Sequence, residues 1–153
     1  MPRIVLRDVI EEDLSFLYQI QREPKGYEMG AFNPKSEEEF FLHWHEKILG
    51  NAEVTARIIQ MDGELVGEVA SFVREGRRLV GYRIVGKHWG RGIATAALTE
   101  FLAVHEKRRP LAAFVATKNV ASYRVLQKCG FQQIGQSTIS SDGFEEFRME
   151  RVN

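Results

Sequence analysis

One cysteine, Cys129, stands alone among 153 residues. It has no partner for an internal disulfide, which fits a reducing compartment. Nowhere does an apolar run approach the ~20 residues that a membrane-spanning helix needs. The opening segment, Met1 to Asp8, lacks the apolar stretch of a signal peptide. Net charge is missing too, because 21 Lys and Arg balance 21 Asp and Glu. A neutral chain has no overall electrostatic footprint for nucleic acid. Repeats, low-complexity tracts and linker-like stretches are also absent. The expectation is a soluble cytoplasmic protein with neither nucleic acid nor membrane as partner. A hydrophobic content of 44% is enough for a single domain over residues 1–153 with a real core.

Punctuation and periodicity divide the chain into elements. Ile4 to Leu6 opens a strand, and Glu11, Glu12 and Asp13 suit the first turn of a helix. Leu14, Leu17, Tyr18 and Gln21 follow at helical spacing until Pro24-Lys25-Gly26, which reads as a stop. Ser36 and Glu39 form a capping box for a second helix whose apolar face is Phe40, Phe41, Trp44 and Ile48. Strands are expected over Val54 to Met61, Leu65 to Val73 and Leu79 to Val85, the first two joined by an Asp62-Gly63 hairpin turn. A helix with Ile93, Ala94, Ala97, Leu98, Phe101 and Leu102 on one face comes next, closed by Arg108-Arg109-Pro110. Leu111 to Val115 is another strand, Asn119 caps a helix that Gly130 ends, and Phe131 to Thr138 and Phe144 to Val152 are the last two strands. The order β-α-α-β-β-β-α-β-α-β-β predicts an α+β domain on one mixed sheet.

The densest chemical signal is a strand, a glycine loop and a helix between Leu79 and Leu102. Gly90-Arg91-Gly92 lets successive N–H groups face one point, and the following helix start adds its own unpaired N–H groups. Lys87 and Arg91 supply charge at the rim. Such a site suits a phosphate or pyrophosphate. The dinucleotide fingerprint fails, because Thr95 stands where its third glycine belongs. A phosphate-loop reading comes closer, with Gly81, Gly86 and Lys87 in register, but His88 replaces the required hydroxyl residue. A nucleotide-phosphate hydrolase and a plain reversal of the chain both stay open on these residues alone.

Trp89-Gly90-Arg91-Gly92-Ile93-Ala94-Thr95 resembles the acetyl-coenzyme A loop of the GNAT acetyltransferase superfamily. In that family the pattern is Gln/Arg-x-x-Gly-x-Gly/Ala, and Gly92 and Ala94 fit its later positions. Trp89 replaces the Gln/Arg, as in the branch that acetylates the N-termini of ribosomal proteins. Asn119, Ser122, Val125, Leu126, Lys128, Gly130 and Phe131 fit a second family segment, N-x-x-S-x-x-V-L-x-K-x-G-F, and Leu6-Arg7 with Glu12-Asp13 is typical of the same branch.

The resemblance implies a mixed, mostly antiparallel sheet of about six or seven strands with about four flanking helices, splayed between its fourth and fifth strands. A β-bulge near Gly81-Tyr82 would help open the gap. Acetyl-coenzyme A is the implied cosubstrate. Its pantetheine would pair with the backbone of Ile84 and Val85, its pyrophosphate with the amides of Gly90, Arg91, Gly92, Ala94 and Thr95, and Asn119 and Ser122 would contact it from the next helix. A primary amine, a peptide N-terminus or a small molecule, would attack the thioester directly, with the Val85 N–H suited to the oxyanion. A homodimer is compatible with the family.

Catalytic groups are less marked. Many relatives protonate the leaving thiolate from a tyrosine where this chain has Leu126. The resemblance therefore passes that role to Ser122, which shares a helix face with Val125, Leu126 and Cys129 and could equally bond back to its own helix. Glu68, expected beside Val66 and Ala70, is the candidate base, with Glu145, Glu146 or a water relay as rivals. Tyr82 and Tyr123 lie within reach. Tyr27, Met29, Phe32 and Trp44 are candidates for the acceptor wall, although Phe40, Phe41 and Trp44 read first as core. Glu37-Glu38-Glu39 hints at an acidic cleft or simply starts a helix. Cys129 reads as a core residue, and His43 and His45, two apart on a helix, point to different sides, so no metal site is expected. Arg74, Arg77 and Arg78 read as a solvated turn. The missing tyrosine also leaves room for a non-catalytic coenzyme sensor.

Overall fold

The computed structural model describes residues 3–30 and 32–153. Met1, Pro2 and Ala31, the first two being part of the opening segment read above, lie outside them. Among the described residues there are seven strands: β1 (Ile4–Asp8), β2 (Thr55–Met61), β3 (Glu64–Arg74), β4 (Arg77–Ile84), β5 (Leu111–Ala116), β6 (Gln132–Ile139) and β7 (Glu145–Arg151). The α-helices are α1 (Leu14–Gln21), α2 (Pro24–Gly30), α3 (Glu37–His43), α4 (Ile93–Glu100) and α5 (Val120–Lys128). The strands form one sheet in the order β1-β2-β3-β4-β5-β7-β6.

Strands β1 to β4 make an antiparallel meander, and β5, β7 and β6 make a second antiparallel group. Between the groups β4 and β5 run parallel and share a single bridge, Leu79 to Ala112. Both residues sit near the start of their strands, so the two groups part toward the C-terminal ends. The splay expected between the fourth and fifth strands is present.

Local chemistry explains most boundaries. Asp62 and Gly63 both take positive φ, 51° and 84°, the geometry of a tight hairpin turn that follows the sheet twist. Ser36 accepts from the Glu39 amide at 3.2 Å while Glu39 reaches back to Ser36, closing the capping box. The Arg7 guanidinium grips both oxygens of buried Asp13 at 2.8 Å, pinning α1 to β1. Pro24-Lys25-Gly26 does not stop the helical region as expected. Pro24 begins α2, because a first helical position needs no N–H and a proline suits it.

Helices cover both faces. On one face Leu98 and Phe101 from α4 and its π-helical continuation, with Leu126 and Cys129 from the α5 end, bury Ile59, Val69, Leu111 and Met149. On the other, Leu14, Leu17 and Ile20 of α1 and Phe40 and Trp44 from α3 and its continuation close over Ile58.

No register shift marks the expected bulge at Gly81-Tyr82. The β3–β4 ladder runs unbroken from Gly67 opposite Ile84 to Arg74 opposite Arg77. The irregularity lies one strand over, where Ile59 faces Gly67 and Gln60 faces Leu65, leaving Val66 as an extra residue. One extra residue reverses the alternation beyond it. Val66 therefore joins Val69 in the core under α4, and Glu68, expected on the same face as Val66, turns with Ala70 to the opposite side.

Beneath β3, at the far end from the splay, Glu106 is buried among donors. The Ser71 hydroxyl bonds it, the Arg108 Nε and Nη2 atoms reach it at 2.9 and 2.8 Å, and the Arg108 amide at 3.0 Å. Burial opposes its charge, but the bonds from Arg108 and Ser71 outweigh it and pull the carboxyl down to about 2.

Candidate active site

The splay opens into a cleft of about 1430 Å³ running from the glycine loop, past the gap between β4 and β5, to α2 and α3. Gly90 and Gly92 both hold φ at 79°, a left-handed backbone that other residues adopt only with strain. This turns the chain sharply and directs it into α4. Among the described residues no side chain caps the start of α4, so its first amides remain available to a ligand.

The loop is braced from three sides. The Trp89 indole donates to the Ile84 carbonyl at 2.7 Å. The Gly86 amide donates to Glu23 at 3.0 Å, and the Lys25 ammonium lies 5.0 Å from the centre of the Trp89 ring. Glu23 and Lys25 thus tie the α1–α2 junction to the glycine loop. Sequence patterns missed both, since nothing local in Glu23 to Lys25 points 60-odd residues downstream.

Gly90, Gly92, Ala94, Thr95, Asn119 and Ser122 all line the cleft, as does Ile84. Lys87 and Arg91 do not. Lys87 turns to Glu64 at 3.4 Å, and Arg91 to the ring of His88, which itself meets Glu64 at 2.8 Å. The phosphate-loop alternative fails on the same residues: Gly81 to Ile84 is strand, and Lys87 faces Glu64.

The Val85 amide is committed to the Val66 carbonyl at 2.8 Å, which removes it as an oxyanion donor and as a coenzyme contact through that group. Antiparallel ladders alternate the direction of their backbone groups. With Val85 directed at β3, the N–H groups of Tyr82 and Ile84 face the gap instead. Of the two expected strand contacts Ile84 therefore faces the gap, and Tyr82 takes the place expected of Val85.

Asn119 accepts the Ser122 amide at 3.1 Å and so caps α5 with its side-chain oxygen alone. The Ser122 hydroxyl does not bond back to its helix. It meets the Tyr82 hydroxyl at 2.6 Å, bridging α5 and β4 beside the gap. Burial, opposed by that same bond, pushes the Tyr82 hydroxyl up to about 12, so it stays protonated. Cys129 lies between Thr99 and the Thr95 carbonyl, and burial pushes its thiol up, away from nucleophile chemistry.

Of the three candidate bases only Glu68 lines the cleft. Burial pushes its carboxyl up, against the pull of Arg83, whose Nε stands 3.9 Å away. Glu145 is held by Thr117 and Ser137 at 3.0 Å each, and Glu146 lies outside the cleft wall. Tyr123 turns away to Gln133 at 2.8 Å. Met29, Phe32, Phe40 and Trp44, three of them candidates for the acceptor wall, line the half of the cleft beside α2 and α3, whereas Tyr27 and Phe41 do not. His43 faces this half and His45 turns to Glu11. Arg78, read above as part of a solvated turn, is instead an ion-pairing residue that holds Glu53 at 2.7 Å. Glu37 and Glu38 sit with Phe41 at a separate shallow surface, so they lend the cleft no acidity.

Similarity to known proteins agrees with this architecture. An aminoglycoside acetyltransferase, AAC(6')-Ib, solved with coenzyme A, superposes with a TM-score of 0.80 at 19% identity, covering 99% of this chain and 95% of that one. A spermidine N-acetyltransferase from Vibrio cholerae, solved with coenzyme A and spermine, gives 0.78 at 17% identity, covering 97% and 95%. A GNAT-family acetyltransferase from Bacillus anthracis gives 0.78 at 16%, covering 99% and 98%. No curated protein sequence matches the chain. Among the described residues no helix is long and apolar enough to cross a membrane. The profile described as "Acetyltransferase (GNAT) domain" matches residues 3–132, and the chain belongs to that family of acetyltransferases.

Proposed function

We propose that the protein, as one catalytic domain over 1–153, moves the acetyl group of acetyl-coenzyme A to a primary amine by direct attack in a ternary complex. The observation that carries this reading is the gap between β4 and β5, with available amides at its mouth, a hydroxyl pair on one side and a buried carboxylate on the other. The coenzyme supplies an acetyl thioester. The amides of Gly90, Arg91, Gly92, Ala94 and Thr95 bind its pyrophosphate. Tyr82 and Ile84 offer backbone N–H groups to the pantetheine and the developing oxyanion. Asn119 keeps its NH₂ group free for the same ligand.

Two proton movements remain. Glu68 accepts the proton of the incoming ammonium, directly or through water. Its raised pKa suits a group that must hold a proton part-way through the reaction. Ser122 passes its proton to the leaving thiolate as the Tyr82 phenol, protonated at the start of the step, passes its own to Ser122, and Tyr82 regains a proton from solvent before the next turnover. That pair replaces the tyrosine missing at Leu126 and favours a catalyst over a coenzyme sensor. A cytoplasmic location accords with the free Cys129, and a homodimer is compatible with the family likeness.

Free-thiol release from acetyl-coenzyme A, measured against a panel of amines and N-terminal peptides, tests the reading. Ser122→Ala should lower kcat by about 10- to 100-fold with coenzyme affinity little changed, and Glu68→Gln by at least as much. In the wild type, kcat should rise with pH through a carboxyl pKa above the ordinary ~4.3, because the base works only when deprotonated. Tight coenzyme binding without acceptor-dependent thiol release would favour the sensor.

A further inference from the structure

The α2–α3 end of the cleft, the acceptor half on the reading above, is lined by cations as well as acids. Lys35, Lys47 and Arg83 line it together with His43. Burial first, then the fields of Lys35, Lys47 and Arg83, lower the proton affinity of the His43 ring. Lys35 is held in place, because the buried Gln21 amide clamps its backbone at both N–H and C=O, at 2.8 and 2.7 Å. The Arg83 guanidinium lies 4.8 Å from the centre of the Phe32 ring, in the same wall.

The acids of this half are already engaged. Glu23 holds the Gly86 amide, and Glu53 is paired with Arg78 at 2.7 Å. Glu68 is buried, and its proton affinity is raised rather than lowered. No ion pair among the described residues involves the ammonium of Lys35 or Lys47. An amine that brings further ammonium groups would set them against these cations. One that brings an anion would neutralise them while its amino group reaches toward Glu68.

We propose that the acceptor is a small amine that also carries an anionic group, a carboxylate or phosphate, which Arg83, Lys35 and Lys47 bind while the amine is presented at Glu68. The assignment rests on the acetyl-transfer reading and narrows it. It sets this chain apart from its structural neighbours solved with spermine or an aminoglycoside.

Matched acceptors test it. Phosphoethanolamine is compared with ethanolamine, and an amino acid with the amine left when its carboxylate is removed. Spermidine and kanamycin serve as polycations. The anionic member of a pair should show a kcat/KM higher by about tenfold or more, with the carboxylate and phosphate pairs telling which anion fits. In a Lys35→Gln, Lys47→Gln variant that advantage should shrink, mainly through KM, and in Arg83→Gln it should shrink further. The lysine variant alters two exposed side chains and tests the idea even if Arg83→Gln folds poorly. Calorimetry on the coenzyme-loaded protein reads the same preference without turnover. Retained anion preference in binding with no transfer to any amine would strike the acetyl-transfer reading alone. Wild-type preference for the neutral or polycationic amine, or a preference untouched by the lysine changes, would overturn the acceptor assignment.

Discussion

Gly92→Val should weaken coenzyme binding by about 100-fold or more. The backbone at this position holds φ at 79°, immediately before the first turn of α4. A β-branched side chain there meets a strain of about 1–2 kcal/mol and pulls the loop toward an ordinary conformation. Fold stability has to absorb only that strain, since a Cβ at this position would touch nothing within 4 Å. The coenzyme site has more to lose. On the proposed binding mode, moving the loop removes two or more amide bonds to charged phosphate oxygens, each contributing about 1.5–3 kcal/mol. Two such bonds correspond to about 3 kcal/mol, or roughly two orders of magnitude in Kd. Calorimetry with coenzyme A and a thermal melt separate the effects. The Kd should rise steeply while the melting temperature falls by a few degrees. An unchanged Kd would remove the glycine loop from the site.

Glu106→Gln should cost about 3 kcal/mol of folding stability or more, without touching the cleft. The carboxylate is almost fully buried and collects Ser71, the Arg108 guanidinium and the Arg108 amide. The amide side chain keeps the shape but leaves Arg108 and the nearby Arg78 guanidinium without the charge they surround. Acid should do the same. The folded-state pKa, about 2, lies below the unfolded value, so the stabilisation is complete above about pH 4.5 and drains away as pH falls toward 2. In chemical denaturation the wild type should lose stability across that window and the Gln variant should lose less. Equal acid sensitivity in both would show that this carboxylate is not the group being titrated.

Local signals were legible in the chain. The Ser36–Glu39 box, the Asp62-Gly63 turn and the Asn119 cap are each decided by chemistry within four residues, and each forms as expected. The sharp turn at Gly90 and Gly92 was legible for the same reason, since its glycines act on their own backbone. What escaped is set by distant partners. The extra residue at Val66 appears only when β2 is laid beside β3, and it alone decides which way Glu68 faces. Val85 seemed a free donor until the same pairing gave its N–H to Val66. The Ser122–Tyr82 bond spans 40 residues, and the cations of the acceptor half come from three separate segments. Periodicity assigned Arg108 to the end of a helix, whereas burial of Glu106 recruits it into a core ion cluster.

The lone bridge between Leu79 and Ala112 makes the sheet a seam between two halves, and the seam has a thermodynamic voice. A ligand lying in the gap stitches β4 to β5 and is bound only by the folded state. Saturation at a hundredfold excess over Kd then adds about 2.7 kcal/mol to the stability of the whole molecule. The amides of Tyr82 and Ile84, open in the free chain, should exchange with solvent quickly and become protected when the coenzyme enters. The lifetime of this protein against unfolding and proteolysis would rise and fall with the coenzyme supply of its surroundings, a coupling that needs no regulatory site.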